Sequence, residues 1–208
     1  MRPLELRLQA FGPYLEPQVI DFRPLTGIFL ICGETGAGKT MLLDALCFCL
    51  YGRSSGGGRD RLEQLRSQSA PDETPTQLSL LFSHRGREYL FTRELLLRRK
   101  RNGAVEFRTV QNALRREADG GLLPLLANPT AQRVNEQAVE ILGLDCEQFC
   151  RVVLLPQGKF ERFLLAKSGE KEEILQSLFD VGPLLRLTER LFAMAKEKEA
   201  SARGLEES

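Results

Sequence analysis

The chain has 208 residues, a mass of 23.4 kDa and a formal net charge of +1. This length suits one hydrophobic core with a small appendage and excludes two full-sized domains. Hydrophobic residues make up 42% and charged residues 27% of the sequence, which is typical of a globular protein in water. No apolar run is long enough to cross a bilayer, and the opening residues alternate polar and apolar types instead of forming a signal peptide. We therefore expect a cytoplasmic protein without a membrane partner.

The five cysteines stand among apolar neighbours, without a C-x-x-C pair and with His84 as the one histidine. Cys146 and Cys150 share a helical face at a spacing of four, but two thiols without two further ligands make a poor tetrahedral zinc site. We therefore expect buried, reduced thiols. The set comprises Cys32, Cys47, Cys49, Cys146 and Cys150.

Two strands are predicted at the start of the chain. The segment 4–8 alternates apolar and polar residues, and 19–22 resumes that pattern after Gly12, Pro13 and Pro17. The two segments are expected to pair as a hairpin.

A phosphate-binding loop is predicted at Gly33 to Thr40, which matches G-x-x-x-x-G-K-[ST] at every fixed position. The apolar run 28–32 before it predicts a strand, and 41–50 after it predicts a buried helix. In such a loop, glycines let successive backbone N–H groups point at phosphate oxygens, and the helix N-terminus adds partial positive charge. The expected nucleotide contacts are Gly33, Glu34, Thr35, Gly36, Ala37, Gly38, Lys39, Thr40 and Met41.

The loop residues also predict the ligand. Lys39 is placed to reach the β- and γ-phosphates of a nucleoside triphosphate, and the Thr40 hydroxyl is placed to coordinate the Mg²⁺ ion that bridges them. ATP with Mg²⁺ is the expected ligand.

The middle of the chain is rich in Arg and Lys. The polar, glycine-rich segment 53–68 is either a mobile loop near the nucleotide or a plain connection. The segments 77–82 and 88–93 then predict strands, and Asn102-Gly103 between 95–97 and 105–110 predicts a hairpin. The cations at its tip suit either contact with a DNA phosphate backbone or a solvated turn. They are Arg98, Arg99, Lys100 and Arg101.

The last third predicts helices around one strand. Asn128 to Thr130 begins a helix that ends at Gly143, and Asp145 is expected to cap a short turn. The run 152–155 predicts a buried strand, and Gln157 just beyond it is placed to contact magnesium or the attacking water at a γ-phosphate.

A C-terminal helix is predicted from Ser168 onward. After Gly182-Pro183, apolar residues follow the spacing of a coiled-coil seam, so we expect a truncated coiled coil, with an isolated amphipathic helix as the alternative. The seam residues are Leu184, Leu187, Leu191 and Met194.

The order of these parts resembles the N-terminal half of the ATPase head of the SbcC family, bacterial DNA-repair relatives of the SMC proteins. The phosphate loop alone is widespread, but its pairing with Pro-Gln-Gly-x-Phe and an emerging coiled coil is far narrower. The matching segments are 10–12, 33–40, 42–45, 50–52, 155–158, Phe160, 163–164, 171–175 and 178–179.

The resemblance implies an α/β fold: an N-terminal lobe of an ABC-type ATPase at 1–167, with a mixed sheet around the phosphate loop and antiparallel hairpins, and a helical coiled-coil base at 168–208. It implies an ATPase whose Gln157 joins magnesium and the γ-phosphate to the neighbouring lobe. Its implied partners are a C-terminal lobe, a second head in a homodimer, the SbcD nuclease and double-stranded DNA. Gln9 lies near a position where some relatives carry a cation, so that role is not transferred.

Two motifs of the family are missing from the sequence. It contains no Leu-Ser-Gly-Gly signature and no apolar run ending in Asp-Glu, which would supply the second magnesium contact and the catalytic carboxylate. The chain therefore looks like half of a head. The alternative is an ATP-binding scaffold of an SMC- or RecF-like DNA protein without a nuclease partner.

Rival classes with the same loop fit less well. A GTPase needs an Asn-Lys-x-Asp base reader and a kinase needs an arginine-rich lid, and the sequence contains neither. A transporter ATPase would not continue into a coiled coil.

Overall fold

A computed structural model describes residues 1–55, 61–99, 105–154, 187–188 and 190–196. The chain divides into two compact units, Met1–Cys150 and Arg151–Ser208. The elements in chain order are β1 (Arg2–Gln9), β2 (Gln18–Asp21), α1 (Lys39–Tyr51), α2 (Leu62–Leu65), β3 (Thr76–His84), β4 (Arg87–Arg99), β5 (Val105–Arg116), β6 (Leu122–Pro124), α3 (Ala131–Leu142), α4 (Cys146–Phe149) and a π-helix (Cys150–Leu154).

The first unit is built on one sheet with the strand order β2-β1-β3-β4-β5-β6, in which every pair is antiparallel. The β1–β2 and β3–β4 hairpins confirm the strand predictions, and β4 pairs with β5 as expected, although the Asn-Gly turn lies outside the described residues. The mixed sheet expected around the phosphate loop is not found in the described part of the chain. All the strands there belong to hairpins or neighbouring antiparallel pairs.

The core lies between one face of the sheet and α1. Side chains along β3 and β4 alternate between the two faces of the sheet. Leu80, Phe82 and Phe91 lie on the core face and are fully buried. The Phe82 and Phe91 rings pack 5.6 Å apart, and α1 contacts β3, β4 and α3. Apolar residues cover most of the circumference of α1, which fits a helix that is packed on more than one side.

Helix α1 ends at a buried arginine from the sheet. Arg93 of β4 is 5% exposed, and its guanidinium donates to the carbonyl oxygens of Cys49 at 3.0 Å and Leu50 at 3.1 Å. It also lies 5.7 Å from the Phe48 ring centroid. These bonds satisfy carbonyls that the last turn of a helix leaves without partners. Arg93 thereby fixes α1 to the sheet.

The later helices begin where the sequence predicts. Thr130 caps α3 by accepting from the Arg133 backbone N–H at 3.3 Å, and Gly143 ends the helix with a φ of 72°. Asp145 forms a capping box with Gln148 at the start of α4. These predictions are confirmed.

The strand predicted at 28–32 is wrong. The backbone there forms no strand, and the side chains from Ile28 to Ile31 are exposed, with Leu30 84% exposed. A strand needs a hydrogen-bonded neighbour, and no described strand pairs with this segment. The apolar side chains of this run are therefore exposed to solvent, directly before the phosphate loop in the chain.

Two further local predictions need correction. Residues 152–154 belong to the π-helix instead of a buried strand, and Val153 is 48% exposed. In the segment 53–68, which the sequence predicts as a loop or a plain connection, the described residues 61–68 contain α2 and a β-bridge between Arg66 and Phe11, and residues 56–60 lie outside the described residues. In both segments, contacts with the rest of the fold determine the secondary structure, and the local composition alone did not predict it.

In the second unit, residues 187–188 and 190–196 are helical. Leu187, Leu191 and Met194 of the predicted coiled-coil seam are more than half exposed. The coiled coil itself stays a prediction. None of the helices that the structure describes combines the length and the apolar character needed to span a membrane.

Candidate nucleotide-binding site

The phosphate loop bends at two glycines with positive φ. Gly36 has a φ of 86° and Gly38 a φ of 90°, a region that residues with a Cβ rarely adopt. The loop closes with a hydrogen bond of 3.2 Å from the Ala37 N–H to the Glu34 carbonyl oxygen. Helix α1 then begins at Lys39, so the loop leads directly into a helix N-terminus.

The N-terminus of α1 is positively polarised. Its first turn contains no acidic residue, and no side chain among the described residues caps it. The N–H groups of this turn and the helix dipole therefore favour a bound anion, as in other phosphate sites at helix N-termini. The residues at this end fit a triphosphate.

Lys39 lies across the loop. Its ammonium donates to the carbonyl oxygens of Gly33 at 2.8 Å and Glu34 at 2.6 Å. The charge of Lys39 is thus held at the mouth of the loop, beside the helix N-terminus. Thr40 follows in the first turn with an exposed side chain, where its hydroxyl can reach a magnesium ion.

The turn after β1 packs against the phosphate loop. The sequence analysis did not predict this contact. The Tyr14 hydroxyl donates to the Gly38 carbonyl oxygen at 3.3 Å. A Cβ on Gly38 would lie 2.6 Å from the Pro13 side chain and 3.0 Å from the Tyr14 ring. Burial raises the pKa of Tyr14, so its hydroxyl remains a donor at neutral pH. The one sequence feature that could have indicated this contact is the aromatic residue directly after Gly12-Pro13.

A second support comes from α1 itself. Asp44 lies one turn after Thr40 and is fully buried. Its Oδ1 accepts from the Ser55 backbone N–H at 2.8 Å and from the Ser55 hydroxyl at 2.6 Å. This pair ties the start of the polar segment after α1 back to the helix that carries Lys39 and Thr40.

The structure does not bring together every predicted site residue. Gln157, Lys100 and Arg101 lie outside the described residues. Arg98 is exposed at the end of β4, and Arg99 ends that strand. The described site therefore consists of the loop, its helix and the turn that supports it.

Comparison with known proteins identifies the family. A family profile described as an AAA domain matches residues 5–207. The chain is 38% identical over 209 residues to the SbcC subunit of the SbcCD nuclease of Vibrio cholerae, covering 96% of this chain and 20% of that protein. It is 34% identical over 212 residues to the SbcC subunit of the SbcCD nuclease of Treponema pallidum, covering 100% of this chain and 19% of that protein.

Among solved structures, the SMC head domain from Thermotoga maritima matches with a TM-score of 0.39 and 19% identity, covering 86% of this chain and 71% of that one. The chain spans about a fifth of the length of the curated relatives that it matches. With the AAA-domain profile matching nearly all of its residues, the chain belongs to the AAA-domain ATPase family and corresponds to the N-terminal part of SbcC proteins.

Proposed function

We propose that this chain is the ATP-binding half of a DNA-repair ATPase head and that residues 33–41 bind ATP with Mg²⁺. The observation that carries the proposal is the position of Lys39 at the N-terminus of α1, over a loop bent by Gly36 and Gly38. This arrangement concentrates positive charge and N–H donors where phosphates would lie.

The roles of the site residues follow from their chemistry. Lys39 would exchange its two carbonyl partners for phosphate oxygens, and Thr40 would hold the magnesium ion through its hydroxyl. Magnesium supplies charge neutralisation at the β- and γ-phosphates. Gln157, in the role that the resemblance implies, would orient the ion and the attacking water.

The head is completed by a C-terminal half. The sequence lacks the signature segment and the catalytic carboxylate that hydrolysis needs. The bare apolar side chains from Ile28 to Ile31 support the same idea, because an exposed apolar run beside a site is typical of a surface that another part of the protein covers. The chain alone is then expected to bind ATP weakly and to hydrolyse it very slowly.

In the complete protein, two heads would engage around ATP, each site being completed by the signature segment of the opposing head. Hydrolysis would release them and thereby regulate the SbcD nuclease on double-stranded DNA ends and hairpins. ATP can shift this equilibrium only by binding the engaged form more tightly than the separated form.

The experiment is a calorimetric titration of the chain with ATP and Mg²⁺. We expect saturable binding to the unaltered chain and a loss of at least about tenfold in affinity for Lys39→Ala, since charged hydrogen bonds contribute about 1.5–3 kcal/mol. Lys196→Ala, at an exposed lysine of the 190–196 helix, is the matched control. Equal affinity of all three proteins, with their circular dichroism unchanged, would contradict the proposal.

A further inference from the structure

Three cysteine thiols meet in the interior of the first unit, although they are far apart in the sequence. The Cys47 sulfur lies 3.6 Å from that of Cys146 and 3.4 Å from that of Cys150. The three sulfur atoms all lie within 4.8 Å of one another. The sequence-based expectation considered Cys146 and Cys150 without two further ligands, and it left out Cys47, which the structure places against both.

The three elements that carry the thiols are held in place by other contacts. Cys47 lies on α1, Cys146 begins α4 and Cys150 begins the π-helix. The Tyr51 hydroxyl donates to the Leu144 carbonyl oxygen at 2.8 Å, and the Tyr51 and Phe149 rings pack 5.5 Å apart. The cluster is thus built into the junction between α1 and α4. π-helical turns also occur frequently at functional sites.

Burial and spacing suit a metal ion. Cys47 is fully buried and Cys150 is 9% exposed, whereas Cys146 is partly exposed and leaves an approach from solvent. In a tetrahedral zinc site with Zn–S bonds of about 2.3 Å, sulfur atoms lie about 3.8 Å apart. The observed separations of 3.4 and 3.6 Å are close to that edge length, so small side-chain shifts suffice.

A cation also suits the charge of three adjacent thiolates. A bound divalent cation deprotonates coordinating thiols outright and offsets the repulsion between their negative charges.

We propose that Cys47, Cys146 and Cys150 form a three-thiolate site for one Zn²⁺ ion, with a water molecule in the fourth position. Binding releases three protons, one from each thiol, and leaves a net charge of −1 at the site. Three sulfur ligands and no carboxylate make the site selective for a thiophilic ion over Mg²⁺. The ion would fix α1, which starts at the phosphate loop, to α4 and to Cys150 directly after it.

The experiment uses Co²⁺ as the spectroscopic probe, added to the whole reduced chain without oxygen. We expect one Co²⁺ per chain, thiolate-to-cobalt charge-transfer absorption in the near ultraviolet, visible bands of tetrahedral cobalt, and displacement of these signals by one equivalent of Zn²⁺. Cys47→Ser and Cys150→Ser should each lose the charge-transfer bands or bind at least tenfold more weakly. Cys49→Ser should bind as the unaltered chain does, since Cys49 is equally buried on α1 but outside the cluster.

A second readout covers variants that fold poorly. In the unaltered chain, Zn²⁺ should protect Cys146, the partly exposed thiol of the cluster, from alkylation, as measured by peptide mass spectrometry. The proposal is overturned if Co²⁺ gives no charge-transfer band with the reduced chain, or if both Cys47→Ser and Cys150→Ser keep the band with the affinity of the unaltered chain. It is equally overturned if Zn²⁺ leaves the alkylation of Cys146 unchanged.

Discussion

The Tyr14 hydroxyl and the Gly38 carbonyl oxygen are joined by a hydrogen bond of 3.3 Å, which connects the turn after β1 to the phosphate loop. The contact leaves no room for a side chain at Gly38, because Pro13 and Tyr14 close on its Cα. The first hairpin of the sheet therefore sets the position of the last glycine before α1. The candidate nucleotide site is thus connected to the antiparallel sheet through this contact.

Gly38→Ala should destabilise the chain and abolish ATP binding. The added Cβ would lie 2.6 Å from the Pro13 side chain, and the φ of 90° is strained for alanine. We expect a loss of about 2 kcal/mol or more in the free energy of unfolding, measured by urea denaturation. Gly36→Ala is the matched control, since its φ of 86° gives similar strain but its Cβ would meet no atom within 4 Å. Equal losses of unfolding free energy in the two variants would show that the contact with Pro13 and Tyr14 adds nothing to the destabilisation.

Arg93→Met should lower the free energy of unfolding by about 2–4 kcal/mol, because removal of the guanidinium leaves buried carbonyl oxygens of α1 without donors. Burial lowers the pKa of Arg93 to about 10, so the group is still charged at neutral pH. Arg108→Met, at an exposed arginine of β5, should change stability by less than about 0.5 kcal/mol. If both substitutions lowered the free energy of unfolding equally little, the claim that Arg93 holds α1 to the sheet would be contradicted.

Glu5 should make stability depend on pH in the acid range. The hydrogen bond from Arg7, which lies at 2.6 Å, holds the pKa of Glu5 below its ordinary value of 4.5. The stabilisation is fully present above the unfolded-state pKa and is lost as the pH falls through the lowered folded-state pKa. The difference in stability between the unaltered chain and Glu5→Gln, measured by urea denaturation from pH 7 downward, should therefore shrink below about pH 4.5. A difference that stays constant down to acid unfolding would contradict this assignment.

The β4–β5 hairpin offers a test of DNA contact. Reversing the charge of Arg99 and Arg101 to Glu should weaken binding to double-stranded DNA and make its salt dependence shallower by up to about two in the log–log slope. Reversal of Arg87 and Arg133 is the control, since Arg87 lies at the other end of β4 and Arg133 on α3. Fluorescence anisotropy with labelled duplexes measures both quantities. An unchanged affinity and slope in the Arg99/Arg101 variant would leave the tip as a solvated turn.

Much of the architecture was predictable because its signals are local. The phosphate loop pattern at Gly33 to Thr40 fixes both glycine geometry and the start of α1, and the caps at Thr130 and Asp145 are complete within a few residues. The antiparallel strands were visible as alternation and turn residues. These parts of the fold follow from near neighbours in the chain.

The remaining features depend on distant partners. The apolar run from Ile28 to Ile31 has the composition of a strand, but a strand also needs a neighbour. In the sequence, Arg93 is one cation of a basic block, and only its packing against the end of α1 shows that it is buried. Cys47 is separated from Cys146 by 99 residues, so spacing could not reveal their contact.

The central claim is that this chain is one half of an ATPase, and its most direct test is the steady-state rate of ATP hydrolysis with and without the matching C-terminal half. We predict very slow turnover by the chain alone, robust turnover by the mixture, loss of that turnover with Lys39→Ala and its retention with Lys196→Ala. Equally fast hydrolysis by the pure chain alone, or full activity of the Lys39→Ala mixture, would contradict the account.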